Sequence, residues 1–202
     1  MKGKVRIVTG AFVSCVILLL LVATVQAQGG KAELPAMVTS CGQSPGPLKV
    51  KVFMQRLEFD HEYNLMATAN DLKEKMNSGT PFKTLIIVTG ASLKGMGAAG
   101  VDIKDELVRT ELLIAEAKKQ GITIIGAHVE GMDRRAQGAA PGDNSDELSI
   151  DAVCPESNLL LVRSDGDEDK RFTNIANEKN IPLFLFEKNN ELPEALKTIF
   201  NK

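Results

Sequence analysis

Six short apolar runs alternate with helical segments along the chain, and this alternation restricts the fold more than any other feature of the sequence. Alternation of this kind produces parallel strands joined by crossover helices. We therefore predict an α/β three-layer sandwich with a mostly parallel sheet, of the Rossmann or flavodoxin type. Its ligand crevice should lie at the carboxyl ends of the strands. The predicted strands are residues 36–40, 62–67, 84–88, 122–126, 158–162 and 182–186.

The clearest helical pattern covers Ile103–Gln120 and stops at Gly121, a residue that favours helix ends. Glu106 is one of its polar positions, together with the lysines near its end. The apolar positions that we expect to face the sheet are Leu107, Leu112, Ile114 and Ala115.

The N-terminal residues 1–27 have the pattern of a secretory signal peptide. Basic residues come first, an apolar core follows at about 11–22, and the small-residue site Val25-Gln26-Ala27 ends the segment. A retained membrane anchor is the alternative, although the apolar core is short for a membrane span. We expect an extracytoplasmic protein, periplasmic or secreted, with no membrane span after cleavage and a single domain at 31–202.

The charge of the chain bears on its partners. Removal of the signal peptide takes three of the 24 basic residues and leaves 21 against 26 acidic ones, a net charge of about −5. An acidic chain argues against a nucleic-acid partner. The absence of tryptophan also leaves no obvious platform for stacking sugars or bases.

A glycine-rich stretch follows the apolar run at 84–88. Residues 90–100 contain four glycines, and such a loop exposes backbone N–H groups just before a helix begins. We predict that these groups cradle an anion and form one wall of a binding site. A flexible turn without a ligand is the alternative.

Residues 95–100 match the dinucleotide-binding pattern G-x-G-x-x-G, but the context argues against such a site. Two predicted strands precede the strand that leads into this loop, whereas a cofactor loop should follow the first strand. The only tyrosine, Tyr63, lies upstream, and the next strand leads into Ala127 and His128 rather than an acidic residue. We therefore expect no cofactor.

Polar, glycine-spaced loops follow the first, third, fourth and fifth predicted strands. In a parallel sheet all of them face the same crevice, so their convergence is more informative than any single loop. The candidate ligand-binding residues are Ser40, Gly42, Gln43, Ser44, Gly90, Ser92, Lys94, Gly95, Gly97, His128, Arg134 and Arg135.

Four short motifs together resemble an uncharacterised family of exported bacterial Rossmann-like proteins, classified only as a domain of unknown function. The motifs lie at residues 39–44, 67–72, 94–102 and 132–135, and the likeness covers essentially the whole mature chain. The resemblance implies an exported Rossmann-like domain and no known activity.

Cys41 is the candidate nucleophile, because a thiol after a strand and near a helix start can have its pKa lowered by the helix dipole. Ser92 is the other candidate, and His128 is the only histidine expected at the same sheet edge. A small residue in a tight turn is the alternative role for Cys41. Cys154 precedes the fifth strand and should lie at the other end of the sheet, so we predict that both cysteines are unpaired.

Metal binding is not predicted. The His-carboxylate groupings at 60–62 and 128–130 lack the spacing of a known ligand set. The acidic patch at 143–147 lacks the register of a calcium loop, and Asn144 or Ser145 is better placed to cap a helix that runs through Val153.

Three functions remain open after these exclusions. The favoured one is an exported binding protein for a small anion held at the carboxyl edge of the sheet. The alternatives are a hydrolase or transferase that uses Cys41 or Ser92 with His128, and a non-catalytic interaction module with an envelope protein partner. The long segment 128–147 is predicted to be a mobile flap in which Arg134 and Arg135 supply charge for the ligand, or else a surface segment with solvated arginines.

Overall fold

The computed structural model describes residues 32–137 and 144–202, and within them it confirms the predicted parallel α/β fold. Six parallel strands form one sheet in the order β2-β1-β3-β4-β5-β6, the flavodoxin-like order with β6 added at one edge. The strands are β1 (Ala36–Cys41), β2 (His61–Tyr63), β3 (Thr84–Thr89), β4 (Thr123–His128), β5 (Leu159–Arg163) and β6 (Leu183–Phe186).

Six of the seven α-helices in the described residues cover the two faces of this sheet. Apolar residues of α1 and α7 pack on one face, and those of α2, α4, α5 and α6 pack on the other. Both faces of β3 are buried, because Ile86 joins the first cluster while Leu85 and Ile87 join the second. The helices are α1 (Gly46–Arg56), α2 (Ala69–Asn77), α3 (Leu93–Ala99), α4 (Ile103–Gln120), α5 (Ser145–Val153), α6 (Arg171–Lys179) and α7 (Leu192–Phe200).

The bounds of α4 agree with the sequence prediction, because both ends are capped. The Asp102 side chain accepts a hydrogen bond from the Asp105 N–H, the Asp105 carboxylate accepts one from the Asp102 N–H, and Gly121 adopts a left-handed conformation at the end. The predicted faces of α4 are wrong in part. Glu106 is fully buried, whereas Leu112 is exposed.

The glycine-rich loop is shorter than predicted, because helix α3 forms within the glycine-rich stretch. The Ser92 side chain caps this helix by accepting a hydrogen bond from the Gly95 N–H at 3.1 Å. Gly95 permits the close packing, since a Cβ atom there would lie 2.1 Å from the carbonyl oxygen of Gln43. The loop therefore contains only residues 90–92.

Two predictions fall wholly or partly on residues outside the described ranges. The signal peptide at 1–27 lies there, and so do residues 138–143 of the predicted flap. No helix in 32–137 and 144–202 is both long enough and apolar enough to cross a membrane.

Candidate functional site

The loops after β1, β3 and β4 meet at the carboxyl edge of the sheet, as the sequence predicts. The Ser92 N–H donates to the Gly42 carbonyl at 2.7 Å, and Gln43 pairs with Ala91 as an isolated antiparallel bridge. Gly42 has a φ of +103°, and a side chain there would approach the Gly90 carbonyl oxygen to 2.5 Å. The mouth of the sheet between β1 and β3 is therefore held together by direct backbone contact.

A buried ion pair on α4 fixes the β1 loop in this position. One oxygen of Glu106 accepts hydrogen bonds from the Gly42 N–H at 2.8 Å and from the Gln43 side-chain amide at 2.9 Å. Arg109 donates to both Glu106 oxygens at 2.9 Å and also to the carbonyl of Ser40 at 2.6 Å. These contacts satisfy the polar groups that the turn brings into the interior.

Backbone N–H groups that were predicted to bind an anion already donate hydrogen bonds to side chains of the protein itself. The Ala91 N–H donates to the Asp146 carboxylate at 2.6 Å, and the Gly90 N–H donates to the Ser149 hydroxyl at 2.9 Å. At the start of α1, the Gly46 N–H donates to the Glu130 carboxylate at 3.0 Å. The edge of the sheet thus has the donor arrangement of an anion site, with internal carboxylates in place.

Arg134 crosses the same edge and is only partly satisfied. Its Nη1 donates to the Ala91 carbonyl at 2.9 Å, and its side chain is 27% exposed. Its Nε atom is buried and has no hydrogen-bond partner among the residues that the structure describes; the Glu130 carboxylate lies 3.6 Å away. A buried donor without an acceptor requires an explanation.

Asp146 is the more accessible of the two carboxylates beside Arg134. Burial raises the pKa of its carboxyl group, while the hydrogen bond from Ala91 and the charge of Arg134 act in the opposite direction. Glu130 is almost fully buried, at 4% exposed. Two carboxylates thus share one arginine at this edge.

Arg135 points away from this edge and is a structural residue. Its side chain is 1% exposed and donates to the carboxylates of Glu147 at 2.8 Å and Asp169 at 2.7 Å, and to the Gly166 carbonyl. Its guanidinium also lies over the ring of Phe172. Within the described part of the predicted flap, the arginines are thus anchored to the protein, and only Arg134 contacts the loop at 90–92.

His128 is the last residue of β4 rather than a loop residue, and it is fully buried. Its Nε2 lies 2.9 Å from the Gly131 carbonyl, which can only accept, so Nε2 carries the proton and Nδ1 faces the Thr89 hydroxyl at 3.0 Å. Burial lowers the pKa of the imidazole to about 4. A ring with both nitrogens engaged is poorly placed to act as a general base.

We expect His128 to make the stability of the fold depend on pH above the range in which carboxylates titrate. The unfolded imidazole has a pKa near 6.5 and the folded one about 4, so between these values only the unfolded chain gains a proton. The free energy of unfolding therefore decreases as the pH falls from 6.5 towards 4, and the total loss is about 3 kcal/mol. Urea unfolding at pH 7, 6 and 5 should show the decline, and a His128→Gln variant should flatten it. An unchanged slope in that variant would contradict this assignment.

The predicted nucleophiles are not activated. Cys41 is fully buried at the end of β1, and burial raises the pKa of its thiol to about 11, so the expected lowering by a helix dipole is wrong. The Ser92 hydroxyl caps α3, and no hydrogen bond in the described chain joins Cys41, Ser92 and His128 to one another. Cys41 and Cys154 are free and buried, which confirms that they do not pair.

The other predicted residues separate into packed and exposed ones. Ser40 accepts a hydrogen bond from the Gln43 N–H at 2.7 Å, and Ser44 is buried beside Gly90. Lys94 and Gly97 lie on the outer surface of α3. No cluster of three or more metal-binding side chains occurs in 32–137 or 144–202.

The sequence interpretation missed the three carboxylates and one hydroxyl that accept hydrogen bonds from backbone N–H groups at this edge. Glu130 and Asp146 were not candidates, and neither were Glu106 and Ser149. Glu106 offered a signal, because it lies seven residues before the buried Leu113 and so shares its face of α4. The others contact groups far away in the chain, which no local pattern reveals.

A family model described as "Domain of unknown function (DUF6305)" matches residues 33–200. No curated protein matches the chain. Among solved structures, the chain is similar to the acetyl xylan esterase AlAXEase, with 10% identity, 81% of this chain and 85% of that chain covered, and a TM-score of 0.37. It is also similar to the psychrotrophic esterase EstA from Pseudoalteromonas sp., with 10% identity, 82% and 94% covered, and a TM-score of 0.34.

Proposed function

The chain belongs to the DUF6305 family, a domain of unknown function, and from its own geometry we propose that it binds a small anion beside Arg134. The observation that supports this function is the buried Nε of Arg134, which has no hydrogen-bond acceptor among the described residues. An arginine at a sheet edge with unused donors is suited to a carboxylate or phosphate, because its planar guanidinium presents paired N–H groups.

The internal carboxylate indicates the chemical class of the ligand. Asp146 holds one carboxylate oxygen on the Ala91 N–H, close to Arg134. A small carboxylate could accept hydrogen bonds from the same Ala91 N–H group and from the free donors of the Arg134 guanidinium. The ligand proposed here is therefore a carboxylate-bearing molecule, small enough to enter between the loop at 90–92 and the start of α5.

Because of the charges at this site, such a ligand should displace the Asp146 carboxylate rather than bind beside it. Glu130 and Asp146 already place two acidic groups beside Arg134, so a third would be repelled. Glu130 is nearly buried and caps α1, whereas Asp146 is partly exposed and desolvated enough for its pKa to rise. Displacement of Asp146 into solvent relieves that desolvation cost and frees the Ala91 N–H.

The state of the candidate catalytic residues favours a binder over the hydrolase or transferase alternative. Cys41 holds its proton up to about pH 11, and His128 stays neutral down to about pH 4 with both ring nitrogens engaged. Neither is arranged as a nucleophile and base pair.

We expect Arg134→Ala to weaken anion binding by about 10- to 100-fold, the effect of losing one or two charge-assisted hydrogen bonds. Thermal shift and calorimetry with acetate, succinate and inorganic phosphate provide the measurement. Lys94→Ala is the matched control, since Lys94 is an exposed base on the neighbouring helix α3 and should leave the affinity unchanged. Equal affinities in Arg134→Ala and wild type would overturn the proposal.

We also propose that the protein works outside the cytoplasm. The support is the sequence of residues 1–27, with its basic start, apolar core and small-residue cleavage site. A small-anion binder in that compartment would meet solutes before they enter the cell.

A further inference from the structure

Helix α4 exposes an ordered stripe of side chains on the face that points away from the sheet. The stripe consists of Asp105, Val108, Leu112, Ala115 and Lys119, spaced alternately by three and four residues, and all five are exposed. Val108 is 58% and Leu112 is 60% exposed. This is the spacing with which one helix packs along another.

Grooves lie on both sides of this α4 stripe. One has a volume of about 700 Å³ and is lined by the stripe together with Thr68, Ala69 and Lys73 from α2 and the segment before it. The other, of about 620 Å³, runs between α4 and α5. A ridge with apolar residues at its centre and a groove on each flank can receive the ridge of another helix.

The charges along the stripe specify what that other helix should be. The stripe is acidic at its start, basic at its end and apolar in the middle, with Leu112 seven residues from both Asp105 and Lys119. An antiparallel copy related by a two-fold axis at Leu112 places each Asp105 opposite Lys119 of the second copy. It also brings Val108 beside Ala115 of the second copy, and it sets the two helix dipoles in opposite directions.

We propose that two copies of this chain form a two-fold symmetric dimer through the α4 stripe. A surface that matches itself under a two-fold rotation is what an isologous interface requires. The 18-residue helix offers a contact roughly 27 Å long, and the flanking grooves let α2 and α5 contribute to it.

The test is the mass of the purified protein in solution over a range of concentrations, by light scattering and sedimentation velocity. We expect a wild-type dimer and a Leu112→Glu variant whose dimer dissociation constant is raised at least tenfold. Leu48→Glu is the matched control, because Leu48 is 49% exposed on α1 and should leave the dimer intact. A wild-type monomer at all concentrations, or a dimer that persists in Leu112→Glu, would overturn the proposal.

The register of the dimer can be tested separately. Asp105→Lys and Lys119→Asp should each weaken the dimer, and the double variant should restore it, because the same two positions face each other in exchanged order. Circular dichroism of each variant checks that α4 stays helical, since the Asp105 carboxylate also accepts a hydrogen bond from the Asp102 N–H at the start of the helix. A Leu112→Cys variant should form a covalent dimer on mild oxidation. The two described native cysteines are buried, so wild-type protein is the control. Failure of the double variant to restore the dimer, with helicity retained, would rule out this register.

Discussion

Replacement of Glu106 by alanine is expected to lower the free energy of unfolding by about 3–5 kcal/mol. The change removes a fully buried carboxylate and leaves the guanidinium of Arg109, whose side chain is 10% exposed, without its ionic partner. It also removes the acceptor of the Gly42 N–H and the Gln43 side chain. The Gly42 N–H would then be buried without an acceptor, which adds to the cost, whereas the Gln43 amide keeps its hydrogen bond to the Leu65 carbonyl.

Glu111→Ala provides the matched control for this prediction. Glu111 is exposed on the same helix, so its replacement should change the free energy of unfolding by no more than about 0.5 kcal/mol. Urea unfolding followed by circular dichroism measures both variants. A similar small change in each would mean that the Glu106 network contributes little to the fold.

Arg135→Ala is expected to destabilise the fold by about 3 kcal/mol, because it removes the buried guanidinium that pairs with Glu147 and Asp169 and the contact of that guanidinium with Phe172. The neighbouring Arg134→Ala variant should change stability by no more than about 1 kcal/mol, since its ion pair is 3.6 Å long and partly exposed. The two adjacent arginines thus separate stability from binding.

Chemical unfolding and acetate titration of the same two variants measure this separation. Arg135→Ala should unfold at lower urea concentration, and it should bind acetate with wild-type affinity below its unfolding transition. Arg134→Ala should unfold close to the wild-type urea concentration, and it should bind acetate more weakly than the wild type. If Arg135→Ala were as stable as the wild type, the buried ion pairs assigned to it would be wrong.

The fold was largely predictable because its signals are local. Each of the six strands lies within three residues of its predicted position at the start, and α4 begins and ends at its predicted residues because capping groups and a glycine stop lie beside it in the sequence. The prediction that Cys41 and His128 lie in loops was less accurate. Each of these residues is the last residue of a strand, because Cys41 pairs with Thr89 and His128 pairs with Val162 of the neighbouring strand.

The candidate site was only partly predictable, because its contacts join distant parts of the chain. The sequence indicated which loops converge, and Gly42, Gly90 and Arg134 do meet at one edge. It did not indicate that the Asp146 carboxylate would accept a hydrogen bond from the Ala91 N–H, 55 residues away in the chain. It also could not distinguish Arg134 from Arg135, since only the tertiary structure pairs Arg135 with the carboxylates of Glu147 and Asp169 and leaves Arg134 at the edge.

The faces of α4 illustrate a further limit of sequence reasoning. Leu112 and Ala115 were expected to pack on the sheet, yet they are exposed, while Glu106 is buried by its ion pair with Arg109. Hydrophobicity alone assigns Glu106 to the wrong face, because its ion pair with Arg109 compensates for the burial of its charge.

The affinity of an Asp146→Asn variant for acetate, measured by calorimetry beside the wild type at pH 7, shows whether a small anion exchanges with the Asp146 carboxylate beside Arg134. Acetate resembles the carboxylate that Asp146 holds on the Ala91 N–H, and asparagine keeps the size of the side chain while it removes the competing charge. We expect the variant to bind acetate about tenfold more tightly than the wild type, a gain of about 1.4 kcal/mol. Equal or weaker binding by the variant, or no binding by either protein, would contradict this exchange.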